Sequence, residues 1–284
     1  MFIKKISKFL EGYDDITKSQ FMKILSWNNP GFDDYKFEKD FLLTLILIKF
    51  WEKYPDLVFK WGTCLNKIYF PYFRMSEDLD FVLNSDAWQT TRRKIFKQYE
   101  NDFIADLSIL GISLREGRTK FDTHKLAMFT FEYNSIINNS IQTIKIDISL
   151  KNKLYLAPIP WIIQSIYIDK IMEENIFDTH YINCIDLKES TAEKLRAALT
   201  RRTPAIRDFF DIWYIKYNWG FDFDDRGFRD LLKLKLKEVD FDYTLDDNYD
   251  LLVKQIQTDL KPVLNEDFDF DFDEIYSFIL SFKE

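Results

Sequence analysis

The residues that decide the fold are KWGTCLNKIY at positions 60–69 and RMSEDLDFVL at positions 74–83. An apolar run at 57–61 predicts a short strand, Gly62 a turn, and residues 63–70 a short helix. Gly62 has no side chain, so the backbone can approach a ligand closely there. The first amides of a helix have no partner within it, so a helix start after such a turn favours an anion. This stretch therefore predicts a phosphate-binding turn.

The second part of the stretch places two carboxylates, Asp78 and Asp80, on either side of Leu79. Residues two apart on a strand point to the same face, so both carboxylates project together while Leu79 and Phe81 enter the core. Adjacent carboxylates repel each other unless a cation lies between them. Oxygen ligands suit Mg²⁺, which completes its octahedron with water and substrate phosphates. A phosphate turn combined with carboxylates for Mg²⁺ is what phosphoryl or nucleotidyl transfer requires.

The first half of the chain is predicted to mix helices and strands. An apolar run at 35–54 predicts a buried helix, 87–110 a long amphipathic helix, and 126–133 with 142–150 a hairpin of two strands.

The second half is predicted to be mainly helical. A helix is expected at 190–199, with Ser190 as its N-cap and Glu193 completing a capping box. The whole pattern predicts an α+β fold, with a catalytic domain at 1–160 and a helical C-terminal domain at 161–284.

Both motifs resemble the signature of AbiEii/AbiGii-type toxins, the MenT-like nucleotidyltransferases of the DNA polymerase β superfamily. In that signature a Gly-Gly-Thr turn starts a helix and is followed by Arg-x-Ser-Glu-Asp-Ile/Leu-Asp. The matching residues are Gly62, Thr63, Leu65, Arg74, Ser76, Glu77, Asp78, Leu79 and Asp80, and Trp61 replaces the first glycine. The resemblance covers roughly residues 35–217. It implies a polymerase β-like mixed sheet with flanking helices, followed by a mainly helical domain that completes the active-site cleft.

The resemblance also implies roles for residues further along the chain. Polymerase β-like enzymes carry a third carboxylate on a neighbouring strand, and Asp147, within IKIDIS at 144–149, is the candidate. With Asp78 and Asp80 it would hold the metal ion, and it would help to activate the attacking hydroxyl. An outward-facing acid on an edge strand is the alternative interpretation of Asp147.

A third motif combines EKLRAALT at 193–200 with RDFFD at 207–211, and it is similar to the family's Lys-Leu-x-Ala-Leu and Arg-Asp-x-x-Asp pattern. The resemblance implies that Lys194 contacts the triphosphate and that Asp208 or Asp211 orients this lysine or a neighbouring arginine. Arg207 joins Gly62, Thr63 and Lys194 as a candidate nucleotide contact. The alternative for this motif is a solvated ion-pair network.

Charge is unevenly distributed along the chain. The net charge is −8, but residues 221–284 carry −10 and the preceding 220 residues carry +2. The composition therefore does not exclude a nucleic-acid partner for the front part of the chain. A basic cluster in the third motif is a plausible contact for the phosphates of a nucleotide or an RNA end. Its members are Lys194, Arg196, Arg201, Arg202 and Arg207.

Two cysteines and two histidines are too few for a disulfide framework or a convincing zinc site. The N-terminal residues lack the pattern of a signal peptide, and the apolar stretch 41–51 is too short to span a bilayer. These features predict a cytoplasmic protein with no membrane association.

The expected reaction is Mg²⁺-dependent transfer of a nucleoside monophosphate from an NTP to an acceptor. By resemblance, the chain would be the toxin of a type IV toxin–antitoxin (abortive infection) system that acts on tRNA and has a cognate antitoxin partner. One alternative is a non-catalytic nucleotide-sensing or protein-binding module, which Trp61 in place of glycine would favour. Another is a nucleotidyltransferase that modifies a small molecule such as an antibiotic.

Overall fold

A computed structural model describes residues 17–84, 89–122, 125–150, 154–239 and 245–283. The main helices and strands follow in chain order: α1 (Lys18–Asn28), α2 (Asp34–Lys53), β1 (Leu57–Lys60), α3 (Trp61–Cys64), β2 (Asp78–Leu83), α4 (Gln89–Ile109), β3 (Ser113–Leu114), β4 (Lys120–Asp122), β5 (Leu126–Asn134), β6 (Ile141–Ser149), β7 (Ile159–Ile162), β8 (Ile168–Asp169), β9 (Glu174–Asn175), β10 (Tyr181–Cys184), α5 (Leu187–Thr200), α6 (Ile206–Tyr217), α7 (Arg226–Leu236), α8 (Tyr249–Gln255) and α9 (Phe272–Leu280).

The mixed sheet is the centre of the first part of the chain. Its strands run in the order β3–β5–β6–β2–β1–β10–β7, and β4 also pairs with β5. The β2–β6 and β1–β10 pairs are parallel, while the remaining neighbours in this sheet are antiparallel. The predicted α+β class and the β5–β6 hairpin are confirmed.

Local sequence explains these elements well. Strand β5 alternates between buried and partly exposed residues over almost its whole length, as a strand with one face on the core should. Helix α2 was predicted to be buried, and Phe41, Leu42, Leu43, Ile46 and Leu47 within it have no exposed surface. The predicted helix at 87–110 is observed as α4, and residues 87 and 88 lie outside the described residues.

One predicted helix start is wrong. Helix α5 begins at Leu187, and its N-cap is Asp186, whose side chain accepts a hydrogen bond from the Lys188 amide. Ser190 therefore lies inside the helix, and the Glu193 carboxylate bonds to Lys235 instead of completing a capping box.

The chain divides into two compact units, and the division is not a single point. The first unit contains Met1–Lys153 and Ile159–Cys184, and the second contains Leu154–Pro158 and Ile185–Glu284. The predicted domain border after residue 160 therefore differs from the observed one. The physical reason is pairing: β10 joins β1 in the sheet and β7 joins β10, so both strands belong to the first unit.

The second unit is mainly helical, as predicted. Its last stretch, DFDFDFDE at 267–274, packs its phenylalanines inward: the Phe268 and Phe270 rings contact the Phe210 ring edge to face at 5.3 and 5.5 Å. Asp271 caps α9 through the amide of Glu274. Within the described ranges, no helix has the length and apolarity that crossing a bilayer demands.

Candidate active site

Strand β2 presents Asp78 and Asp80 on one face, as its two-residue period requires. Both aspartates are partly exposed, whereas Leu79 and Phe81 between and beside them are fully buried. The alternation that the sequence predicted is therefore present, and the two carboxylates project from the same side at the start of the strand.

Asp147 lies on the neighbouring strand of the same sheet. Strands β2 and β6 are parallel, with Asp80 opposite Asp147 and Asp78 opposite Lys145. Residues in register on neighbouring strands share a face, so Asp147 projects on the same side as Asp78 and Asp80. The strand register thus brings this acid beside the first pair.

The environment of Asp147 is unusual for a carboxylate. Partial burial, followed by the negative charge of Asp78, raises the pKa of Asp147 to about 6, against the smaller opposing effect of Lys145. Its Oδ1 atom is buried and has no hydrogen-bond partner among the described residues. An acid in this state is ionised at neutral pH and can accept a proton.

The glycine turn at the end of β1 fits closely against the second motif. A Cβ atom added to Gly62 would lie 2.7 Å from Nη2 of Arg74 and 3.0 Å from Oγ of Ser76. Only glycine allows Arg74, which is itself almost fully buried, to occupy that place. Trp61, immediately before Gly62, has φ 66, in the left-handed region that bulky side chains rarely adopt.

Thr63 ties the turn to the aspartate strand. Its hydroxyl donates to the backbone carbonyl of Asp78 and lies 2.8 Å from the Ser76 hydroxyl oxygen. Thr63 has no exposed surface. The side chain thus fixes the turn against the start of β2, and any contact with a phosphate would come through backbone amides.

Two further charged residues of the motif stretch are held by neighbours. Glu77 forms an ion pair with Lys39 of α2 at 2.9 Å. Lys60 lies opposite Asp80 in the antiparallel β1–β2 pair, and its ammonium nitrogen is 5.1 Å from the centroid of the Trp61 ring. Lys60 is almost fully buried, so its ammonium is a buried positive charge close to the aspartate pair.

A buried ionic cluster behind the turn was not found by sequence reasoning. The Lys67 ammonium lies 2.6 Å from Oδ2 of Asp40 and donates to Thr44 and Tyr72, both at 2.9 Å. The Tyr72 and Tyr167 hydroxyls also donate to Asp40 Oδ2, at 3.1 and 2.9 Å. The only local signal is a charged residue inside an apolar helical run, at Asp40 and again at Lys67.

In the second unit, the structure brings Lys194, Asp208 and Asp211 together. The Lys194 ammonium is 2.8 Å from a carboxylate oxygen of each aspartate. Arg201 completes the group through a 2.6 Å contact with the other oxygen of Asp208. Lys194, Asp208 and Asp211 are buried, which excludes the solvated ion-pair network considered from the sequence. Arg207 is half-buried in the first turn of α6.

A second buried ionic cluster borders helix α5 on another side. Lys235 of α7 lies 2.6 Å from Glu189 and 3.0 Å from Glu193. Burial lowers the pKa of Lys235, but the two carboxylates outweigh it and the net pKa is raised. Glu189 also accepts hydrogen bonds from the backbone amides of Tyr155 and Leu156. Sequence reasoning had given Lys235 and Glu189 no role.

The fit of a divalent cation can be judged from the aspartate face. The donors are hard carboxylate oxygens, which suit a divalent cation. Oδ1 of Asp147 is buried and has no hydrogen-bond partner among the described residues. Within the described ranges, no three Asp, Glu, His or Cys side chains are gathered closely enough to hold a metal ion. The donor chemistry fits Mg²⁺, with Asp78 and Asp80 as the pair on one strand and Asp147 beside them.

A mixed sheet that presents aspartates on adjacent strands beside a glycine turn is the arrangement expected of a polymerase β-like nucleotidyltransferase. The family model described as "Nucleotidyl transferase AbiEii toxin, Type IV TA system" matches residues 51–281. The chain therefore belongs to the AbiEii family of nucleotidyltransferase toxins, in agreement with the resemblance of its motifs.

Several solved structures share the fold at low sequence identity. MenT4, a nucleotidyltransferase toxin from Mycobacterium tuberculosis H37Rv, matches with a TM-score of 0.56 and 14% identity over 94% of this chain and 99% of its own. JHP933 from Helicobacter pylori matches with a TM-score of 0.51 and 18% identity over 88% of this chain and 91% of its own. A sequence search of curated proteins gave no significant match.

Proposed function

We propose that this nucleotidyltransferase transfers a nucleoside monophosphate from an NTP to the 3′ end of tRNA, with Mg²⁺ as cofactor and release of pyrophosphate. The observation that carries the proposal is the register of Asp80 with Asp147, which adds a third carboxylate to the face formed by Asp78 and Asp80. Family membership implies an NTP substrate and an antitoxin partner. We place the reaction in the cytoplasm, where NTPs and tRNA occur together.

The three aspartates would have two different roles, metal binding and proton transfer. Asp78 and Asp80 would hold Mg²⁺, which when bound would neutralise charge on the phosphates. Asp147 is the candidate base for the proton of the attacking hydroxyl, because it lies in register with Asp80 on the same face and its Oδ1 has no hydrogen-bond partner among the described residues.

Backbone amides of the turn and, by resemblance to the family, two cations of the third motif would contact the phosphates. The amides of Gly62 and Thr63 would contact phosphate oxygens, because the Thr63 hydroxyl already bonds within the protein. Lys194 would stabilise charge on the triphosphate, and Asp208 and Asp211 hold its ammonium from two sides. Arg207, half-buried beside Asp208 in sequence, would add a further phosphate contact.

The support for an RNA acceptor is the arginine-rich turn between α5 and α6. Arg201 is partly exposed and Arg202 is exposed, so both can meet a nucleic-acid backbone. A small-molecule acceptor would not require this charge.

The test incubates the protein with Mg²⁺, each α-³²P-labelled NTP in turn, and total bacterial tRNA. Asp80→Ala is the inactive variant, and Asp250→Ala, an exposed residue of α8, is the matched control. Label on tRNA with the wild type and with Asp250→Ala, but not with Asp80→Ala, is expected. Transfer of label to a small molecule, with none on tRNA, would mean that the acceptor is a small molecule. An absence of NTP binding would overturn the proposal.

A further inference from the structure

Trp61 has a backbone conformation that its side chain disfavours. At φ 66 the Cβ atom of an L residue crowds the following carbonyl, whereas glycine adopts this conformation without penalty. A bulky residue persists there only where the surroundings enforce it, and such residues cluster at active sites. Trp61 directly precedes Gly62 of the turn. The conformation therefore suggests that the indole has a use that glycine could not provide.

The position of the ring relates Trp61 to the aspartate face. Lys60 is opposite Asp80, and Asp80 is opposite Asp147, so these three side chains share one face of the sheet. The Lys60 ammonium lies 5.1 Å from the Trp61 ring centroid. The ring therefore lies next to a side chain of the aspartate face.

The partial exposure of Trp61 argues against a purely core role. Trp213 in the second unit is a core tryptophan with 7% of its surface exposed. Trp61 is only half-buried, while its neighbours Lys60 and Gly62 are buried. A half-buried tryptophan next to the glycine turn can offer aromatic surface to a ligand that binds there.

We propose that the indole of Trp61 stacks on the nucleobase of the incoming NTP; this rests on the proposed function of the aspartate face. Every nucleobase has a flat π surface, so a stacking aromatic adds affinity for all four NTPs. The same contact is absent for a triphosphate without a base. Trp61 would therefore let the site distinguish a nucleotide from other polyphosphates.

The experiment compares two probes on the full chain by isothermal titration calorimetry with Mg²⁺. The probes are a non-hydrolysable α,β-methylene NTP and inorganic tripolyphosphate. The variants are Trp61→Gly, which suits the backbone conformation, and Trp61→Phe, which keeps an aromatic ring. Trp219→Gly removes an indole that is 55% exposed in the second unit and is the matched control. Thermal unfolding is recorded for each variant.

We expect Trp61→Gly to raise the Kd for the NTP analogue about ten-fold or more, with tripolyphosphate binding unchanged. Trp61→Phe should stay within about three-fold of the wild type, and Trp219→Gly should match the wild type. Equal weakening of both probes would show that Trp61 shapes the turn, and the inference would be wrong.

Two other outcomes are equally decisive. Unchanged NTP binding by Trp61→Gly, with or without a higher KM for tRNA, would remove the NTP base as the stacking partner and leave the proposed function intact. Failure of the wild type to bind the NTP analogue would instead overturn the proposed function together with this inference.

Discussion

Asp80 and Asp147 lie opposite each other on neighbouring parallel strands, with Asp78 on the same face two residues before Asp80. Three carboxylates on one face repel one another, and the effect is visible at Asp147, whose pKa rises to about 6 through burial and then through the charge of Asp78. This face is therefore costly to fold without a cation, and the cost can be measured.

Asp147→Asn is expected to stabilise the metal-free protein while abolishing transfer. The folded pKa of Asp147 is raised, so its ionised form opposes folding at neutral pH. The variant should gain about 1–2 kcal/mol at pH 7.5, less than the full shift would give because the group is only partly buried. The gain should shrink as the pH falls through about 6 and vanish below about 4.

Urea denaturation in EDTA at several pH values measures this gain. Asp122→Asn, at a half-buried carboxylate of β4 two strands away from Asp147, is the control and should show no such gain in stability. A variant less stable than the wild type at pH 7.5 would contradict the prediction.

Gly62→Ala should damage both stability and activity. The added methyl group would lie 2.7 Å from Arg74 and 3.0 Å from Ser76, so the buried guanidinium must move. We expect a loss of about 1–3 kcal/mol in the free energy of unfolding and a clear fall in kcat/KM. Gly220→Ala is the control, because that glycine has φ 67 but open space around it. Its cost should be about 1 kcal/mol with activity unchanged; wild-type activity of Gly62→Ala would refute the close-fit argument.

Lys194→Met should destabilise the second unit by roughly 3–5 kcal/mol, because Asp208 and Asp211 would then be buried with less compensation. The control is Lys188→Met on the same helix: Lys188 pairs with Asp225 at a similar 2.7 Å, but both side chains are about 40% exposed. That exposed pair should contribute far less to the free energy of unfolding, because solvent screens it. Chemical denaturation of both variants distinguishes the two cases, and equal costs would show that burial is not the cause.

Lys67→Met should cost a similar roughly 3–5 kcal/mol, since it leaves the fully buried Asp40 without its cation. Adding Asp40→Leu should recover part of this loss. Recovery stays incomplete because the Tyr72 and Tyr167 hydroxyls lose their acceptor. A double-mutant cycle gives the coupling energy, expected to be about 1–3 kcal/mol. Strict additivity of the two substitutions would contradict a direct interaction.

The aspartate strand could be predicted because its signal is local. The two-residue period of a strand is enough to place Asp78 and Asp80 on one face and Leu79 in the core. The pairing of Asp80 with Asp147 depends on strand register across more than sixty residues, and only the family resemblance pointed to it.

The buried ionic clusters could not be predicted, because their partners lie far apart in the sequence and no local pattern connects them. Asp40 lies in α2 and Lys67 lies 27 residues further on, in the helical segment Leu65–Tyr69 that follows α3. Neither segment carries a sequence pattern that identifies the partner residue. Glu193 shows how tertiary contacts override a local signal: Ser190-x-x-Glu193 has the spacing of a capping box, yet Lys235 takes the carboxylate. Strands β8 and β9 have two residues each, too few for any periodicity to show.

The chain passes from the first unit to the second at Leu154, returns at Ile159, and leaves again after Cys184. The amides of Tyr155 and Leu156 in this excursion are held by Glu189 of the second unit. A fragment that ends at residue 160 would lose β10. A fragment that ends at Cys184 would keep Leu154–Pro158 but would lose Glu189, which accepts hydrogen bonds from this segment. Each unit is therefore built from two separate segments of the chain, so neither unit is encoded by one contiguous segment of the gene. Recombination or insertion that exchanges one unit between relatives must replace two separate segments at once.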